Sequence, residues 1–120
     1  MKFKKLTIEL VQVCEEAPKR FQYVRDEDLE PDFFGQVKPY ADEVHAKLKN
    51  WRELALQFIK QYDPKYFHPL QVEQVADAME QFIVQSFYKK TSKKRFLQSV
   101  QSVHYTLSKL IKTIEETEGC

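Results

Sequence analysis

At 120 residues the chain has the length of one domain, and folding at this size removes roughly two-thirds of the unfolded surface from water, enough for a self-sufficient core. Charged residues make up 31% and hydrophobic ones 42%, with nine Phe, six Tyr and one Trp against two Gly, which excludes a disordered chain and favours rigid helices. The formal net charge of +1 excludes a global pull toward nucleic acid or membrane, so electrostatic recognition has to come from a local patch.

The first predicted helix covers about Lys2 to Asp26 and places Phe3, Leu6, Leu10, Val13, Ala17, Phe21 and Val24 on its inner face. Lys2, Lys4 and Lys5 ahead of Leu6 to Cys14 give a crude likeness to a signal peptide or a lipoprotein acceptor cysteine. Thr7, Glu9 and Gln12 interrupt that apolar run, and Val13 is bulky where cleavage wants a small residue, so a cytoplasmic protein is expected. No run reaches the roughly 18 to 20 apolar residues of a membrane span. Cys14 and Cys120 match neither a disulfide framework nor a zinc site, which fits a reducing compartment.

An acidic break, Asp26 to Pro31, leads to a short helical segment at residues 32–38. Pro39 has no backbone donor and crowds the carbonyl of Gly35, so a kink or a fresh helix start is expected there. The second long helix continues to Gln61 or Tyr62. Along it Val37, Ala41, Val44, Leu48, Trp51, Ala55, Phe58 and Tyr62 alternate four- and three-residue steps, the period of a seam that faces neighbouring helices. Tyr62 to Pro69 reads as a loop, with Pro69 in the first turn of the third helix. That helix runs to about Lys89, with Val72, Val75, Ala76, Met79, Phe82, Ile83 and Ser86 inward. Thr91 or Ser92 caps the fourth helix, whose seam is Phe96, Val100, Val103, Leu107, Leu110 and Ile114 and whose end falls near Glu116. Long helices with short connections favour antiparallel neighbours. The predicted fold is all-α: an up-down-up-down antiparallel four-helix bundle, one domain over residues 1–120, with a short extra helical segment near 32–38.

Little in this pattern carries catalytic chemistry. His104 lies between Leu97 and Ile111 in the column beside the fourth-helix seam, where a histidine hydrogen-bonded to a neighbouring helix is expected. Asp42 and His45 stand three apart, as two metal ligands on one helix would, yet a di-iron bundle needs paired Glu-x-x-His motifs and this chain has none. With Lys38 and Arg52 in the same column, His45 reads as part of a solvated edge. No G-x-S-x-G is present, and two glycines far apart cannot form a phosphate loop. Neither an enzyme nor a metal or other cofactor is expected.

Two surface features remain. In Tyr88-Lys89-Lys90-Thr91-Ser92-Lys93-Lys94-Arg95, the first lysines complement a helix C-terminus, whereas Lys93, Lys94 and Arg95 put positive charge at a helix N-terminus. Unpaired donors there already favour anions, so this turn is either a phosphate or acidic-peptide site or a solvated turn neutralised by nearby acidic residues. Val84, Phe87 and Tyr88, together with Tyr105 on the outer face of the fourth helix, form the second feature. They are either covered by Asp32-Phe33-Phe34-Gly35 folding back or left open as a partner or self-association patch.

Several pieces together resemble a known family: Asp32-Phe33-Phe34 with Val37-Lys38-Pro39, Pro64-Lys65-Tyr66 and His68, Gln85-Ser86-Phe87, Lys93-Lys94-Arg95-Phe96, and Ser102-Val103 with Tyr105-Thr106-Leu107. They are similar to the YppE-like proteins, small uncharacterised four-helix-bundle proteins of Gram-positive bacteria. The likeness spans about Asp32 to Leu110, and His104 stands where an aliphatic residue is expected, so a histidine role common to the family is not implied. The resemblance implies a cytoplasmic bundle and brings no activity, ligand or catalytic residue. The function expected is a non-enzymatic protein-interaction or scaffold module, with a homodimer as one form and no membrane or nucleic-acid partner. The alternative is an anion or small-ligand module using the basic turn Lys89 to Arg95.

Overall fold

The apolar seams fold as long helices in the computed structural model, which describes residues 2–118: α1 (Lys2–Asp26), α2 (Lys38–Tyr62), α3 (Pro69–Gln85) and α4 (Lys93–Glu118). A π-helical turn, Phe33–Val37, leads into α2, and the described residues contain no strand. Cys120 lies outside the described residues.

Contacts across the helices fix their directions. Phe3 early in α1 sits 5.3 Å from Phe58 late in α2, while Arg20 late in α1 stacks on Tyr40 at the start of α2. Trp51 meets Phe67, just before α3, and Tyr40 meets Phe87, just after it. Phe96 at the start of α4 packs on Phe82 late in α3 and stacks at 4.1 Å on Phe21 of α1. Each helix is therefore antiparallel to the next and α4 returns beside α1, giving the expected up-down bundle, 50 × 26 × 22 Å in extent.

The core follows the seams with a few informative departures. Val37 to Phe58 are buried as read, but Tyr62 ends outside at 44% exposure, because the chain turns at Asp63 in a left-handed conformation before another helix can cover it. On α1 the expected Leu6 is only half-buried, and Thr7 beside it is buried instead. The reason is Trp51, which is fully buried and needs a partner for its indole N–H. Thr7 Oγ1 accepts that bond at 3.0 Å and donates its own proton to the Phe3 carbonyl at 2.8 Å.

The end of α3 is corrected from about Lys89 to Gln85. Ser86 Oγ donates to the Ile83 carbonyl at 2.7 Å, and the Phe87 and Tyr88 amides bond back three residues to Val84 and Gln85. Those tight bonds close the last turn and stop the α-helical ladder. At its start, Gln71 Oε1 accepts the His68 amide at 2.7 Å, and Pro69 occupies the first helical position, where a missing N–H costs nothing.

Ala55 is 0% exposed between Trp51 and Phe58, whereas Glu53 faces solvent. Ala55→Glu buries an unpaired charge and is expected to cost roughly 3 kcal/mol or more, while Glu53→Ala stays within about 0.5 kcal/mol. Urea unfolding of the two variants checks this; equal midpoints contradict the register.

Candidate functional site

The polar features of the chain gather where the end of α1, the connection after it and the turn between α3 and α4 meet. Lys89 reaches across to the acidic connection, with Nζ at 2.6 Å from Asp28 Oδ1 and 3.0 Å from Glu30 Oε1. Its hydrogen bond to Asp28, then that to Glu30, raises the lysine above its ordinary pKa. Arg25 lies 4.3 Å above the Phe21 ring and donates through Nη2 to the Thr91 carbonyl, pinning the turn to α1. Of the first two lysines of the basic turn, Lys89 is thus neutralised, while Lys90 is exposed. Lys93, Lys94 and Arg95 stay exposed on the first turn of α4, without a carboxylate partner among the described residues, and the Arg95 amide donates to Ser92 Oγ at 3.5 Å.

The aromatic stripe does not survive as one surface. Phe87 is 4% exposed, because the early end of α3 turns its ring inward under Tyr40 and Arg20. Val84 and Tyr88 are half-buried. Tyr105 is exposed but shares a shallow cleft with Tyr66 and Phe67, which precede α3, so it lies toward the other end of that helix from Val84. The segment at 32–35 does not fold back over the stripe either: Phe34 is 79% exposed and meets Phe33 edge to face at 5.2 Å. Asp32 Oδ1 caps the Gly35 amide at 3.1 Å, and a Cβ at position 35 would collide with Asp32 Oδ2, so a larger residue there displaces the carboxylate that makes this cap.

Of the metal candidates, Asp42 pairs with Lys38 at 2.8 Å, and no group of three or more potential ligands converges among the described residues. His45 is half-buried with Nε2 unpartnered. His104 is also half-buried, and the hydrogen bond expected of it toward a neighbouring helix is not made among the described residues.

Sequence reasoning missed Arg20. Its guanidinium carbon lies 4.5 Å from the Tyr40 ring centre and 4.6 Å from that of Phe87, so the group rests against both members of a ring pair that itself meets edge to face at 5.6 Å. Nε donates to Ser86 Oγ at 2.8 Å, and Nη2 is buried without a partner, as is the Tyr40 hydroxyl. Arg20 also lines a cleft of about 530 Å³ between α1, the connection and the π-helical turn. Its only sequence signal is a place at the border of the α1 face, between Ala17 and Phe21, which it shares with many ordinary surface cations.

Residues 7–114 match the model of a bacterial domain of unknown function, DUF1798. The chain belongs to the DUF1798 family. It is 35% identical over 102 residues to the uncharacterised protein YppE of Bacillus subtilis strain 168, covering 85% of this chain and 83% of that one. The crystal structure of B. subtilis YppE superposes with a TM-score of 0.94 at 31% identity, over 99% of this chain and 97% of that one. A protein of unknown function from Listeria innocua gives 0.93 at 27% identity, over 100% and 96%. The four-helix bundle expected from the residues is therefore the observed fold, the resemblance to the YppE-like proteins is borne out, and the relatives bring no named activity.

One further reactive group of this DUF1798 chain is buried. Cys14 sits in the core, and burial, with a smaller push from Glu15, raises its thiol from 9.0 to about 12. The unfolded chain loses this proton at lower pH than the folded one, so this group costs stability as pH rises from about 9 toward 12 and is neutral below. In a Cys120→Ser variant, where Cys14 is the sole thiol, an aromatic disulfide reagent at pH 8 is expected to react at least about tenfold faster in 8 M urea than in buffer. Equal rates would show that Cys14 is accessible in the folded protein.

Proposed function

We propose that this DUF1798 protein is a non-enzymatic cytoplasmic interaction module that presents Phe33 and Phe34 to a protein partner, with a homodimer as one form of that contact. The observation that carries the reading is Phe34: a large apolar ring, 79% exposed, on a turn that Asp32 and Gly35 hold rigid. Aromatic anchors on a preorganised element supply much of the binding energy of protein interfaces, and an ordered turn loses little entropy on binding. In the runner-up reading, an anion module at Lys89 to Arg95, Lys89 is already taken by Asp28 and Glu30.

Phe34→Ser is expected to change stability by less than about 0.5 kcal/mol, since the ring buries little in the isolated chain. A photo-crosslinking side chain at position 34, irradiated in living cells of the native bacterium, is expected to give discrete adducts that are absent with the same group at Lys49, an exposed position on α2. A band at twice the mass of the chain marks a homodimer, and another mass marks a different partner. No more adduct at 34 than at 49 contradicts the reading.

A further inference from the structure

The Arg20 cleft borders the phenylalanine turn through Gln36, but neither Phe33 nor Phe34 lines it. Three features define the setting of Arg20, beside a cleft that Arg25 does not line. Arg20 faces no carboxylate within ion-pair distance among the described residues, Nη2 is buried without a partner, and its plane is fixed by Tyr40, Phe87 and the Ser86 hydroxyl. A half-buried charge is normally compensated by an opposite charge or a full set of hydrogen bonds. Here the compensation is incomplete, and the group borders open space.

The surroundings define what fits. Lys19 adds a second positive charge to the lining, while Glu30, the one acidic residue there, is already bonded to Lys89 at 3.0 Å. Tyr23, Leu29 and Pro31 supply an apolar wall. The volume, about 530 Å³, lies inside the range of roughly 300–1,000 Å³ usual for small-molecule sites. With Nε bonded to Ser86 and Nη2 buried, Nη1 is the guanidinium nitrogen left to donate, and a charge-assisted hydrogen bond from it suits a carboxylate better than a neutral acceptor.

We infer that the cleft between α1, the connection at residues 27–32 and the π-helical turn binds a small organic carboxylate with an apolar body. Arg20 holds the carboxylate, assisted by Lys19, and Tyr23, Leu29 and Pro31 enclose the body. The site leaves Phe33 and Phe34 free, so ligand binding and partner binding are separate properties of the molecule.

The test is calorimetric titration of the full chain with octanoate, 1-octanol and acetate, with melting temperature measured in parallel. Octanoate is expected to bind saturably at one site and to raise the melting temperature. The neutral alcohol and the head group alone are each expected to bind at least about tenfold more weakly, since each lacks one of the two recognition elements. Arg20→Gln is expected to weaken octanoate at least about tenfold. Because that change also removes packing, Leu29→Glu serves as a second variant: Leu29 is partly exposed, so the fold tolerates it, and the added carboxylate repels the ligand. Lys94→Gln, on the basic turn, is expected to leave octanoate affinity unchanged. The inference is overturned by the absence of saturable octanoate binding, by equal affinity for 1-octanol, by unaltered affinity in folded Arg20→Gln and Leu29→Glu proteins, or by loss of binding in Lys94→Gln.

Discussion

One end of this bundle is organised by a positive charge that has no counter-ion. Arg20 extends from α1 against Tyr40, at the start of α2, and Phe87, just past the end of α3, and its Nε is held by Ser86. Each guanidinium–ring contact contributes about 0.5–2 kcal/mol, more when water is excluded, and the geometry constrains its neighbours. Ser86 is the C-terminal cap of α3, its amide still bonded to the Phe82 carbonyl at 2.9 Å, and from there its hydroxyl oxygen accepts from Arg20 while the turn that follows carries Phe87 inward. Tyr40 has to sit at the first turn of α2, where Pro39 and the capped turn before it set the start. Three chain ends are thereby brought together around one side chain.

The charges outside this clamp do different work. Lys89 with Asp28 and Glu30, and Arg52 with Glu73, are exposed pairs whose net contribution is small and weakened by salt. Their effect is positional: the Lys89 pairs lay the acidic connection beside the turn between α3 and α4, where Leu29, Glu30 and Pro31 form one wall of the cleft, and the Arg52 pair ties α2 to α3. The far end is built otherwise. There Trp51, Thr7 and the Phe3 carbonyl form a buried hydrogen-bonded relay inside an aromatic core of Phe3, Phe58 and Phe67. A dry, fully bonded core at one end and a wall held by solvated pairs at the other place local opening at the cleft end.

The seams were legible because period alone decides them. Val37 to Phe58 and Phe96 to Ile114 repeat every three or four residues, and solvent exclusion leaves such a stripe only one direction to face. Starts of helices were legible where chemistry is local, as with Pro39, Pro69 and Ser92. What was not legible depends on partners distant in sequence. Thr7 faces inward because of an indole that arrives from α2, and Leu6 gives way to it. The end of α3 carries no glycine or proline and is closed by the three-residue bonds of the Phe87 and Tyr88 amides, which no residue type announces. Phe87 looked like surface for the same reason, and the clamp itself joins three segments that no window of the sequence contains. The exposure of Phe34 was missed because an apolar pair in a short segment is read by default as a covering flap.

The claim on which this account rests is that Arg20 is seated by aromatic rings and a hydroxyl in place of an acid. A double-mutant cycle between Arg20→Met and Tyr40→Leu, measured by urea unfolding, tests it directly. The predicted result is a coupling energy of about 0.5–2 kcal/mol between the two residues, with Arg20 and Glu30 additive within about 0.3 kcal/mol. The reverse pattern, additive with Tyr40 and coupled to Glu30, would mean that Arg20 is an ordinary ion-paired surface cation.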